Sequence, residues 1–392
     1  MFDPSDPEFL ADPYPEFARL RRAGEVHRHD GLGLAIAVSH AAASAVLRHR
    51  GLGRIWTDAT PAERFVSFNL LHRNSLLENE PPVHTRLRRV ISTAFARGHL
   101  DRLRPRIARL ATDLARGLAQ RTENGGQADL LAHLAQPLPV RVITELLGVP
   151  AEDGARLLVW SNAIVKMYEY GLPAADQAAA ERAAGEFVAY LREVVEDRRR
   201  RRRDDLLGDL VAAAGDGALT GDEVVATAVL LLMAGHEATV NVLGNGVWAL
   251  LCAPAQWQRL RDDQRLVEAA VEELIRYDAP LQLFERTATD DVEIAGFRVA
   301  KGEKIAALLG AAARDPAVFA EPDTLDVGRS PNPHLGFGAG IHYCIGAPLA
   351  RIEIAAAIRA LLSLAPGLRL AGEPRRRPEF VIRGPRTLPV SA

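Results

Sequence analysis

Cysteine is nearly absent: Cys252 and Cys344 are the only two in 392 residues. A disulfide scaffold is excluded at this size, and so few thiols suit a reducing cytoplasm rather than secretion. Charge of one sign is also scarce. The formal net charge is −2, so no overall field points to nucleic acid or to an anionic membrane surface. The opening stretch MFDPSDPEFLADPYPEF lacks the basic start and apolar run of a signal peptide. Its prolines and acids also argue against an amino-terminal membrane anchor. No internal repeat and no low-complexity linker interrupts the chain, so one domain over 1–392 is expected.

Strand-like material is sparse and confined to 33–38, 292–299 and 380–383. Elsewhere the apolar spacing is helical, most clearly over 101–120 and 179–196. The fold class is therefore mainly α with small β-sheets. Six consecutive arginines, 198–203, form the loudest charge run, but Asp197, Asp204 and Asp205 flank it. It reads as a solvated helix end. Thr220-Gly221-Asp222-Glu223 is a capping box, with Thr220 as N-cap and Glu223 three residues on. The long apolar stretch 224–252 follows. It has little polar face and is expected to be buried on all sides. A membrane span is the poorer reading, because His236, Glu237, Asn241 and Asn245 inside it are costly in lipid.

The two cysteines differ in surroundings. Cys252 reads as an inert buried hydrophobe. Cys344 stands in LGFGAGIHYCIGAPLARIE, where Gly338, Gly340 and Gly346 let the backbone take positive φ angles and fold closely around one sulfur. A helix over 348–364 then aims its amino end, with orphan N–H groups and a positive dipole, at that sulfur. This favours a thiolate, the form that ligates metal. No second cysteine is near, so a zinc cluster is unsuited. A lone thiolate suits haem iron.

The run Phe337-x-x-Gly340-x-His342-x-Cys344-x-Gly346 resembles the haem-binding loop of the cytochrome P450 family. The resemblance implies the cytochrome P450 fold, with haem b between the long central helix and the helix after the cysteine loop. It implies Cys344 as the proximal iron ligand, Phe337 beside the sulfur and His342 on a haem propionate. Glu273-Leu274-Ile275-Arg276, with Arg329, is similar to the family's buried charge triad, which is structural. His84-Thr85-Arg86-Leu87-Arg88 resembles the propionate-binding helix, with His84 and Arg88 four apart and on one face. Arg286 matches another propionate arginine. Four such groups for two carboxylates make charge-assisted pairing. The opening DPYPEFARLRRAG and the ending FVIRGPRTLPV are also similar to the family's.

Ala234-Gly235-His236-Glu237-Ala238-Thr239 resembles the family's oxygen-binding segment. Small Ala234 and Gly235 then let the helix pass close over the haem, and Glu237 carries protons. The position after the acid usually holds threonine. Here it is Ala238, and Thr239 cannot simply substitute, because helix neighbours do not share a face. An ordered water or a substrate hydroxyl supplies the missing hydrogen bond, or the chemistry differs. By position, the substrate pocket is expected from Phe65, Phe68 and Leu70, from Trp160, Ile164 and Met167, from Ala234 and Ala238, and from Leu281, Leu283, Phe284 and Ile382. The resemblance implies a bacterial-type monooxygenase that hydroxylates or epoxidises a small apolar molecule with dioxygen. Electrons come from NAD(P)H through ferredoxin reductase and ferredoxin, to a cytoplasmic monomer. Arg88, Arg89, Arg97 and Arg351 are expected to form a positive face toward that iron–sulfur partner. Oxidation without oxygen insertion, or peroxide-driven turnover, is the alternative that Ala238 raises. A haem protein that only binds a ligand is the remaining one.

Overall fold

Helix dominates, as the apolar periodicity predicts. In the computed structural model, the described residues are 1–93, 95 and 97–392, apart from the side chains of 97–99. Arg97 of the expected positive face thus lies outside the described side chains. The segments 101–120 and 179–196 fall inside the helices Arg97–Thr122 and Ala174–Arg200. The chain folds into two compact units. One comprises Met1–Gly53, Leu103–Leu138 and Ala238–Ala392, the other Arg54–Arg102 and Pro139–Glu237.

The first unit is built on a five-stranded sheet. Its order is Val26–His29, Leu34–Ala37, Lys304–Leu308, Leu283–Ala288 and Leu52–Gly53. Only Leu34–Ala37 and Lys304–Leu308 run parallel. Lys304–Leu308 is central, and four of its five residues are buried. It therefore has no polar alternation for a sequence reading to find. The segment 292–299 is a hairpin, Val292–Ile294 against Phe297–Val299. Ala295 at φ 49° and Gly296 at φ 78° make its turn, the left-handed pair that matches strand twist. The expected strand at 380–383 is not one. Ile382 forms an isolated bridge to Leu281, flanked by single backbone bonds to Pro280 and Gln282, and from Pro385 the chain pairs with Arg375–Arg376 instead. The helices Val267–Tyr277 and Ala347–Leu364 belong to this unit.

The second unit is helical. It holds Val66–Arg73, Val83–Ser92, Gly154–Val165, Ala174–Arg200 and Leu206–Gly215. The arginine run departs from its expected solvated state at its first member. Arg198 is 3% exposed. Its Nε donates to Asp205 Oδ2 at 3.0 Å and its Nη2 to the Gly148 carbonyl at 2.5 Å. Gly148 sits at φ 77°, and a Cβ there would meet Asp205. Burying one arginine of the run is tolerable because carboxylate and carbonyl acceptors replace its water. Arg199 and Arg200 pair with Glu196 at the surface instead.

The long helix, Gly221–Cys252, contributes to both units. The capping box forms: Glu223 N donates to Thr220 Oγ1 at 3.2 Å, and Thr220 N to Glu223 Oε2 at 2.8 Å. This is the one described helix long and apolar enough to cross a membrane, and it is mostly buried within the fold. Buried leucine and valine along it each contribute about 1.5–3 kcal/mol. Cys252 corrects its expectation. It is exposed, because the helix ends there and its last turn leaves the core.

Candidate functional site

The cysteine loop is shaped by two glycines. Gly338 and Gly340 adopt φ 70° and 71°, where a side chain is strained. A Cβ on Gly340 would also lie 2.6 Å from the Leu47 carbonyl, so the loop rests directly on the helix His40–Arg48. Gly346 departs from expectation. As N-cap of Ala347–Leu364 it is right-handed, at φ −81°, since a helix start needs no left-handed residue. Cys344 N donates to the Phe337 carbonyl at 2.9 Å, and Ala347 N to the Cys344 carbonyl at 3.4 Å. The thiol is thereby held one turn before the first amides of an 18-residue helix, and Cys344 is exposed. A helix amino end beside a thiol favours negative charge on its sulfur.

Around this loop lies a cluster that the sequence does not announce. Arg351 donates Nε to Glu272 Oε1 at 2.6 Å and Nη2 to Oε2 at 2.8 Å, a bidentate pair. His334 Nε2 lies 3.0 Å from Glu272 Oε2. Burial pushes the Glu272 carboxyl up, but Arg351 and His334 outweigh it and hold it down to about 2. The Arg351 guanidinium also lies over the Phe337 ring, 4.4 Å from its centroid. Arg351 is therefore not a bare charge on a positive face, because a carboxylate already answers it. Arg89 is exposed and Arg88 half-buried on Val83–Ser92.

The structure brings Glu273, Arg276 and Arg329 together. Glu273 and Arg276 have fully buried side chains and pair at 2.7 Å. Arg329 Nε reaches Glu273 Oε2 at 3.1 Å, and Asn332 Nδ2 donates to the same oxygen at 3.1 Å. Arg276 Nη1 further donates to the carbonyls of Ala313 and Pro322. Removing one partner of such a buried pair costs about 3–5 kcal/mol. The group fixes 313–332, the stretch leading into the cysteine loop.

Other predicted residues fall as follows. Arg286 is 4% exposed on the strand Leu283–Ala288. Leu283 is buried and Phe284 half-buried on the same strand, and a Cβ on Gly338 would lie 3.9 Å from the Phe284 ring. Leu281 pairs with buried Ile382. His342 is half-buried in the turn Gly340–His342.

In the second unit, His84 is 2% exposed on Val83–Ser92. Its neighbour Arg86 is engaged elsewhere, with both Nη groups on Glu223 at 2.9 and 2.5 Å. Phe65 and Phe68 are buried and Leu70 half-buried at Val66–Arg73. The amides of Ser67 and Phe68 donate to Glu181 at 2.8 and 2.9 Å. Trp160 is committed to helix packing: its Nε1 donates to Glu186 at 2.6 Å and its ring meets Phe187 at 5.3 Å. Ile164 is fully buried and Met167 half-buried beside it in sequence.

Along the long helix, burial is interrupted at Ala234, which is exposed, and at Ala238, which is half-buried. Four residues apart, they share one face. A Cβ on Gly235 would lie 2.7 Å from Ile143 Cγ1, so the missing side chain also lets Ile143 pack close to the helix. Glu237 and Thr239 are buried, and His236 Nε2 lies 4.0 Å from Glu237 Oε2. Among the described residues no group of three or more histidine, cysteine or acidic side chains is placed to hold a metal ion.

The family model described as Cytochrome P450 matches residues 36–364. The chain is 39% identical over 392 residues to a cytochrome P450 monooxygenase, PikC, of Streptomyces venezuelae, covering 98% of this chain and 92% of that one. It is 40% identical over 326 residues to the mycinamicin IV hydroxylase/epoxidase of Micromonospora griseorubida, covering 81% and 80%. Among solved structures, P450BioI in complex with a hexadec-9Z-enoic acid ligated acyl carrier protein superposes with a TM-score of 0.92 at 33% identity, covering 98% of this chain and 99% of that one.

Proposed function

The chain belongs to the cytochrome P450 family, and on that premise we propose a ferredoxin-fed monooxygenase that hydroxylates or epoxidises a small-to-medium apolar molecule. The family's oxidoreductase chemistry uses haem and dioxygen. The observation that carries the reading for this chain is the Cys344 thiol, exposed in a loop that Gly338 and Gly340 shape and set before a helix amino end.

A haem b fits these residues. Cys344 is the donor to iron, and the amino end of Ala347–Leu364 supports its negative charge. Phe337, held by Arg351, covers the sulfur side and limits water there. Gly346 starts the helix close to the sulfur. Arg286, His342, His84 and Arg88 are propionate partners in this reading. Buried carboxylates require such donors. When bound, the haem supplies dioxygen activation, which a thiolate ligand favours by electron donation.

The protein's own part is selection and proton supply. Ala234 and Gly235 keep the long helix slim at the haem. Glu237 carries protons at its carboxylate, and buried acids of this kind cluster at functional sites. Ala238 leaves no hydroxyl where the family's threonine stands, and Thr239 faces elsewhere. A substrate hydroxyl or a water therefore completes the hydrogen bonding. Substrate is gripped by apolar walls: Leu281, Leu283, Phe284 and Ile382, with Phe65, Phe68, Leu70, Ile164 and Met167. Trp160 supports its own helix pair. NAD(P)H is the electron source through a ferredoxin reductase. The 392 residues act as one domain, as a cytoplasmic monomer.

The test is reconstitution with ferredoxin, reductase and NADPH under isotopically heavy dioxygen, across a panel of apolar substrates. Product carrying one heavy oxygen supports insertion. Ala238 favours one second reading, oxidation by coupling or desaturation. Oxidised product without the label would establish that reading in place of the first.

A further inference from the structure

Asn245 lies about two turns beyond Ala238 on the long helix and is 1% exposed. Its Nδ2 donates to the main-chain carbonyls of Asp278 and Arg383, each at 3.1 Å. Its Oδ1 accepts from Arg376 Nη1 at 3.3 Å. Asp278 is the second node. Its Oδ1 accepts from Tyr14 Oη at 2.7 Å and Arg383 Nε at 2.8 Å, and its Oδ2 from Arg376 Nη2 at 2.9 Å. Burial pushes the Asp278 carboxyl up, but the charges of Arg383 and Arg376 prevail and hold it well below the usual carboxylate range. The Arg376 guanidinium lies over the Trp248 ring, 4.3 Å from its centroid and three residues on from Asn245.

What this network anchors is specific. Immediately beyond its nodes the two apolar segments pair. Arg383 N donates to the Pro280 carbonyl at 2.8 Å, Gln282 N to the Val381 carbonyl at 2.9 Å, and Leu281 bridges Ile382. The helix is docked against the same corner. A Cβ on Gly384 would fall 1.9 Å from Asn241 Oδ1, and one on Gly244 would fall 2.7 Å from Pro385 Cγ. One amide thus ties the helix that carries Ala238 to both segments of the wall. Each carbonyl it satisfies would cost about 1–3 kcal/mol if buried without a donor. Such a fully satisfied network rigidifies and specifies one arrangement.

We propose that Asn245 and Asp278 are positioning residues for substrate selection, fixing the Leu281–Ile382 wall against the Ala238 turn of the long helix. The inference rests on the reading of Cys344 as haem ligand and of Leu281, Leu283, Phe284 and Ile382 as substrate-facing. Neither residue touches substrate. They act by holding side chains that do, and a loosened wall penalises ligands that reach it while sparing those that do not.

The test uses haem-loaded protein with two probes that ligate haem iron, imidazole and 4-phenylimidazole, each followed by its Soret shift. Imidazole is too small to extend far from the iron, whereas the phenyl ring probes the wall. Asn245→Leu keeps size and removes the hydrogen bonds. Asp278→Asn keeps shape and weakens the same node. In both, the imidazole Kd stays within about twofold of wild type while the 4-phenylimidazole Kd rises about tenfold. The carbon-monoxide spectrum of the reduced protein is unchanged. Equal changes for both probes, or no change for either, would overturn the proposal. If Asn245→Leu yields no holoprotein, the ratio in Asp278→Asn decides. A wild-type protein giving no thiolate spectrum would mean that the haem reading itself had failed, and the inference with it.

Discussion

The Arg351 guanidinium caps the Phe337 ring at 4.4 Å while gripping both Glu272 oxygens, which braces the cysteine loop through a side chain one turn into the following helix. Arg351→Leu removes the stack and the fork together and leaves Glu272 answered by His334 alone. The expected cost is about 2–3 kcal/mol, with faster loss of haem. Arg351→Lys should recover less than half, because lysine has neither the fork nor the planar stack. Denaturant titration and haem transfer to an acceptor globin measure both. The pair also sets an acid limit. Glu272 is held down to about 2 in the fold, so its stabilisation is complete above about 4.5 and fades as pH falls toward 2. Glu272→Gln should flatten stability over that window, and equal slopes in both proteins would exclude the assignment.

Glu353, on the same helix, behaves oppositely. It is 1% exposed, and its Oε1 has no hydrogen-bond partner. Burial alone pushes its carboxyl well above the usual range, which favours its neutral form in the fold. Its folded value exceeds its unfolded one. The stabilisation is therefore full below about 4.5 and lost as pH rises through the folded value. Glu353→Gln should gain on wild type between pH 5 and pH 8 in thermal melts. A constant difference across that range would mean the carboxyl titrates normally.

Ala238 predicts substrate-dependent coupling. A native substrate that donates the missing hydrogen bond should form product with little peroxide, and analogues without its hydroxyl should leak. Site groups left unpaired penalise such analogues strongly. Ala238→Thr should raise product per NADPH for the poor analogues by several-fold and hinder the native one. Glu237→Gln should slow every substrate by about 10²-fold or more. No change of ratio for any substrate in Ala238→Thr would make the position a packing choice.

With Arg351 answered by Glu272, Arg89, exposed on Val83–Ser92, is the described cation of that face proposed to steer an acidic iron–sulfur partner. Electron-transfer rates should fall as salt rises. Arg89→Glu should lower the low-salt rate several-fold and flatten that response. Stopped-flow reduction at several ionic strengths decides, and a flat response in wild type would remove Arg89 from the interface.

What was legible in the sequence was local. Thr220 and Glu223 announce the long helix because a capping box spans four residues, and the glycine–cysteine loop is a continuous string. Glu273 and Arg276 share a helix face, so their pairing is readable, but that Asn332 joins them is not. Glu272 and Arg351 stand 79 residues apart, and Asn245 and Arg383 stand 138 apart. No spacing rule connects such pairs. Arg198 was misread because five exposed arginines follow it and composition cannot say which one a distant carbonyl takes. Cys252 was misread because residue type predicts burial and helix length decides it. Gly346 was misread because glycine permits a left-handed turn without requiring one.

Thiolate ligation of haem by Cys344 underlies the proposed chemistry. The most direct measurement is the absorbance of the reduced, carbon-monoxide-bound protein in wild type, Cys344→Ala and Cys252→Ala. The red-shifted Soret band of a thiolate-ligated haem is expected in wild type and Cys252→Ala, and its loss in Cys344→Ala. Survival of that band in Cys344→Ala, or its disappearance in Cys252→Ala alone, would contradict that ligation.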